Sequence, residues 1–72
     1  MTASIRLLDV VALTEDVPDK KLLRGQVGTV LEVLAPEVYE VEFCDDEGHA
    51  YTSTALSASQ LLILHYCPQI AA

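Results

Sequence analysis

A chain of 72 residues, 51% of them hydrophobic and with a net charge of −7, has room for one small domain, which buries only roughly 60% of the surface its unfolded form exposes. Its longest apolar runs, such as Leu61 to Leu64, fall far short of the ~18 residues a membrane span needs, and its amino end lacks the charged start, apolar core and small-residue cleavage site of a leader. These features exclude a helical membrane protein and lead us to expect a soluble, cytoplasmic domain whose stability is marginal unless a partner or a second copy helps.

The charge is unevenly placed. Arg6, Lys20, Lys21 and Arg24 are the only basic residues and are offset locally by Asp9, Glu15, Asp16 and Asp19. Residues 25–72 then carry Glu32, Glu37, Glu40, Glu42, Asp45, Asp46 and Glu47 with no lysine or arginine among them. A field of that sign repels phosphate backbones, so nucleic acid and anionic membranes are not expected partners, whereas a basic protein surface is. The plainer reading is that the acids keep an apolar domain in solution.

In chain order, Asp9 to Leu13 is a short apolar run and reads as a first strand. Thr14 to Leu23 gathers charges around Pro18 and reads as a long irregular connection, with room for one helical turn over Asp19 to Leu23. Arg24 to Leu34 joins Gly25 and Gly28 to a β-branched run and is the central strand, which the two glycines are expected to bend. After Ala35-Pro36-Glu37, the residues Val38 to Cys44 alternate, with Tyr39, Val41 and Phe43 on one face and Glu40 and Glu42 on the other.

Asp45-Asp46-Glu47-Gly48 then leads into a second β-prone run, His49 to Ala55, which makes a hairpin. A three-residue loop of Asp46, Glu47 and left-handed Gly48 is expected, because glycine suits that position, and it sets Phe43 opposite Tyr51 and Val41 opposite Ser53, leaving Ala50, Thr52 and Thr54 on the wet face that suits them. A four-residue loop instead turns Tyr51 outward beside Glu42. Leu56 to Gln60 suits a single 3₁₀ turn. Leu61 to Leu64, apolar throughout, reads as a last strand covered on both sides. The tail from His65 to Ala72 is apolar and broken by Pro68.

Five short strands, a long first loop and one 3₁₀ turn before the last strand describe an all-β domain, expected to close as a small five-stranded SH3-like barrel, since closure removes exposed strand edges. At Leu8 to Leu13, Leu23 to Leu34, Tyr39 to Phe43, Asp46-Glu47-Gly48 and Gln60-Leu61 the chain resembles a family of short bacterial proteins catalogued as a domain of unknown function. The resemblance covers about positions 5–64 and implies an SH3-like barrel, with no reaction to carry over to any residue. A weaker similarity, at Arg24 to Val30, is to small barrels that meet RNA. The glutamates on these strands argue against that use.

Cys44, His49, His65 and Cys67 are residue types that zinc accepts, but their spacing matches no finger, and free thiols are the expectation. Asp45, Asp46 and Glu47 lack the alternating ligand spacing of a calcium loop. Ser57 and Ser59 have no histidine predictably beside them, and Glu40 and Glu42 on an exposed strand lack the burial that tunes an acid. No enzyme activity, metal or cofactor is therefore expected. The function expected is a protein–protein interaction module, an adaptor or a neutralising protein of the antitoxin or immunity kind. Glu40, Glu42, Asp45, Asp46 and Glu47 would face a basic partner, with Glu15 and Asp16 adjoining them. The alternative is a structural subunit held as a homodimer by the apolar tail and an exposed sheet edge.

Overall fold

The computed structural model describes residues 5–65. The β-branched and aromatic runs form five strands: β1 Val10–Leu13, β2 Val27–Ala35, β3 Val38–Cys44, β4 Ala50–Ser57 and β5 Leu61–Ile63. All pair antiparallel in one sheet of order β4-β3-β2-β1-β5. Two 3₁₀ turns, Pro18–Lys20 and Ala58–Gln60, supply the helical residues, the first of them starting one residue before the turn expected over Asp19 to Leu23; no α-helix occurs among the described residues. Among the described residues the barrel expected from sequence is not completed by pairing. β4 and β5 remain the two edges, joined through the 3₁₀ turn, and β5 is only three residues long.

The core lies on one face, where Val11 and Leu13 of β1, Val30 of β2, Tyr39, Val41 and Phe43 of β3, Leu56 of β4 and Leu61 of β5 form a single buried cluster with Leu22. A flat sheet leaves such a face wet. Here Val11, Val30, Val41 and Phe43 reach 0% exposure, which requires the sheet to curl around them. The curl has a local cause that differs from expectation. β2 slips register against β3 between Val30 and Glu32 and again between Val33 and Ala35, and such extra residues bend a strand and sharpen its twist. Gly25 sits in the turn before β2 with φ +92, while Gly28 lies within the strand, so neither glycine stands at the irregularities.

A third irregularity decides the β3–β4 hairpin. The loop is the three-residue one: Asp45 N–H donates to the His49 carbonyl at 2.9 Å, and Gly48 takes φ +84. Cys44 accordingly faces Ala50, yet the next pair is Phe43 with Thr52, so Tyr51 is an extra, bulged residue. Val41 then faces Thr54, and Tyr39 faces Leu56. The expected pairs Phe43–Tyr51 and Val41–Ser53 are therefore wrong, and Thr52 and Thr54 lie half-buried on the core face rather than on the wet one. The physical reason is Leu56. Without the bulge Ala55 would oppose Tyr39 and Leu56 would point to water; with it Leu56 is 3% exposed.

The long first connection is ordered. Val17 and Leu22 exchange backbone hydrogen bonds of 2.8 and 3.1 Å around the Pro18–Lys20 turn, and Lys21 closes it with φ +59. This small hairpin drops Leu22 into the core at 0% exposure. Its ends are tied down, with Thr14 N–H donating to the Gln60 carbonyl at 2.9 Å and Gly25 N–H to the Leu13 carbonyl at 2.8 Å. Leu22→Ala is expected to cost about 2–5 kcal/mol, a core-sized loss from a loop position. Urea unfolding would expose an error if the midpoint moved no more than for an exposed-leucine control, Leu23→Ala. The strand β5, expected to be covered on both sides, is not: Leu62 is 57% exposed because the outer side of the sheet is uncovered there.

Candidate functional site

The alternation that sends Tyr39, Val41 and Phe43 inward sends Glu40, Glu42 and Cys44 to the outer face of β3. Glu42 lies between Thr29 on β2 and Ser53 on β4; Glu40 lies between Glu32 and Ala55. Glu32 thus joins the row, directly opposite Glu40, in a like-charge pairing that destabilises a sheet locally. Sequence reasoning missed it, because the bulge at Leu31 decides which side of β2 meets Glu40. Among the described residues, no lysine or arginine forms an ion pair with a carboxylate.

Beyond Cys44 the row reaches the hairpin turn, where Gln26, Val27, Cys44, Asp45, Asp46, Glu47 and Tyr51 line an open cleft of about 740 Å³. Gln26 Nε2 donates to the Tyr51 hydroxyl across the end of β3. The acids in the turn differ in their duties. Asp45 Oδ1 accepts the N–H groups of Glu47 and His49, both at 2.9 Å, so this carboxylate builds the turn. Asp45 Oδ2 and Glu47 Oε1 lie 3.5 and 3.7 Å from His49 Nδ1, contacts so exposed that they add little to stability. Asp46 makes no side-chain hydrogen bond among the described residues.

Glu15 and Asp16 have other duties. Glu15 accepts from Gln60 Nε2 at 3.2 Å, Asp16 accepts the Arg24 N–H at 2.8 Å, and neither lines the cleft. Asp9 likewise accepts the Arg6 N–H at 2.8 Å. Asp9 and Asp16 fasten backbone and Glu15 holds a side chain, whereas Glu40 and Glu42 lie half-buried on the outer face of β3.

The other candidate residues are placed as follows. The Ser57 and Ser59 hydroxyls are 2.9 Å apart, and Ser57 takes part with Gln60 in a capping box that starts the second 3₁₀ turn, so both belong to a cap. Cys44 is an exposed free thiol whose Sγ lies 4.0 Å from Glu42 Oε1. Among the described residues no three histidine, cysteine, aspartate or glutamate side chains gather as a metal-binding set. Cys67 and most of the tail lie outside the described residues.

The chain is therefore an all-β domain whose single curled sheet turns a glutamate-lined face outward. It belongs to the family described as a domain of unknown function (DUF4926), whose model matches residues 7–63. No curated protein and no solved structure matches it. No helix among the described residues is long and apolar enough to cross a membrane.

Proposed function

We propose that this protein is a cytoplasmic interaction module built as an SH3-like barrel, as in the short bacterial proteins it resembles, and that its acidic outer face covers a positively charged site on a partner protein. Its role is that of an adaptor or of a neutralising protein of the antitoxin or immunity kind, with no reaction, metal or cofactor of its own. The observation that carries this reading is the unneutralised row Glu32, Glu40 and Glu42 on the outer face, continued by Asp46 and Glu47 in the turn. A solubilising coat has no reason to set Glu40 directly against Glu32, at a cost of a few tenths of a kcal/mol. A docking face does, since a cationic partner would relieve the repulsion on binding.

Changing Glu40, Glu42 and Asp46 together to lysine tests it. Glu40→Lys sets a cation opposite Glu32, so the variant should melt within a few degrees of wild type. Affinity capture from the native cell lysate, with the captured proteins identified, should give basic partners that the variant loses. Capture of the same proteins by both would end the proposal.

A further inference from the structure

We propose that β4 is a docking edge for an extended basic segment of the partner, which joins the sheet as a sixth strand and lays alternate lysine or arginine side chains over Ser53 and Ala55 against Glu42 and Glu40. The inference rests on the acidic-face reading and deepens it by naming the shape of the ligand and the backbone that holds it.

Three features converge on β4. The first is an open hydrogen-bonding edge. β4 pairs with β3 on one side, and on the other it has no backbone partner among the described residues. The second is its composition. Ala50 to Ser57 reads Ala-Tyr-Thr-Ser-Thr-Ala-Leu-Ser, eight residues without a charge, proline or glycine, whereas exposed edges are normally blunted by lysine, proline, bulges or brevity; the bulge at Tyr51 stands near the start of the strand and leaves Thr52 to Ser57 in regular register. Such an edge accepts an added strand through main-chain hydrogen bonds, and the flanking side chains select which strand.

The third feature supplies that selection. On the outer face Ser53 stands beside Glu42 and Ala55 beside Glu40. A sixth strand would lie two strand spacings, roughly 10 Å, from the β3 backbone. Because the intervening side chains are a serine and an alanine, a long cationic side chain pointing outward from that strand has a clear path to each glutamate. Glu40 and Glu42 are two residues apart, so the matching cations are also two apart. The inward positions of the added strand would border the half-buried Thr52 and Thr54 and suit small or β-branched residues.

A second copy of this chain fits the edge less well. Pairing β4 with β4 would bring two glutamate rows and two net charges of −7 toward each other, whereas a basic strand neutralises the row.

The test uses the full chain and a seven-residue peptide of alternating lysine and threonine, acetylated and amidated, with binding followed by fluorescence anisotropy at low salt. Two further versions carry backbone N-methyl groups, one on every lysine and the other on every threonine. Alternate N–H groups of a strand face opposite edges, so one version should lose affinity about tenfold or more while the other binds nearly as well as the parent. The Glu40→Lys, Glu42→Lys variant, checked for folding by its melting curve, should lose the parent peptide by a similar factor. Equal binding of all three peptides, together with loss in the glutamate variant, overturns the edge and leaves the acidic face standing. Undiminished binding by the glutamate variant overturns both. A dimer by light scattering that excludes the peptide assigns the edge to a second copy and overturns the proposal.

Discussion

Phe43→Ala is expected to remove about 3–5 kcal/mol of stability, the largest loss from any single side-chain truncation in this domain. A domain of this size has roughly 4–11 kcal/mol in total, so the variant should lose between about a quarter and all of its stability. Phe43 is the largest side chain at full burial, 0% exposed near the end of β3 and flanked by Gly28 on β2 and Thr52 on β4. Its neighbours across the sheet are too small to close over the space it leaves, so most of the cavity would persist. Circular dichroism during urea unfolding gives the answer. A midpoint close to that of wild type would mean that the core is held elsewhere, in the Leu22 plug or the β1–β5 pair.

Gly28→Val should rival that loss, at about 3 kcal/mol, although valine suits a strand better than glycine. The reason is space. A Cβ at position 28 would stand 2.7 Å from the Glu42 carbonyl oxygen, 2.7 Å from Val41 Cγ1 and 3.0 Å from Phe43 Cδ2. A side chain can swing away; the Glu42 carbonyl belongs to the ladder and cannot. Gly28 therefore serves close packing between β2 and β3. The same steric picture predicts the double variant: Phe43→Ala removes only the ring contact, so it should fail to rescue Gly28→Val. Recovery of stability in the double variant would show that the ring, and not the backbone, sets the requirement for glycine.

Much of the acidic face could be read from sequence. The alternation Tyr39-Glu40-Val41-Glu42-Phe43 places two glutamates on one side of a strand whatever the strand pairs with, and Asp46-Glu47-Gly48 marks the turn after it. Glu32 was not readable in this way, because its position opposite Glu40 depends on an extra residue at Leu31 that local propensity does not signal. Ser53 and Ala55 were obscured for the same reason: the bulge at Tyr51 shifts every later residue of β4 by one place and turns them outward beside Glu42 and Glu40. The glutamates of β3 follow from chain-local period, their neighbours from register.

From the sequence alone come the all-β class, the approximate limits of the strands, the left-handed Gly48 turn and the one-sided charge after Arg24. Each depends on a residue and its near neighbours, whose steric preferences and periodicity act without knowledge of the rest of the chain. The tertiary structure alone decided the three bulges, the burial of Leu22 from within a loop, the tight contact at Gly28 and the edges of β4 and β5, unpaired among the described residues. These depend on where apolar side chains such as Leu56 and Phe43 find cover once the sheet curls. That is a balance among distant residues, in which burying one leucine outweighs the local order of a strand.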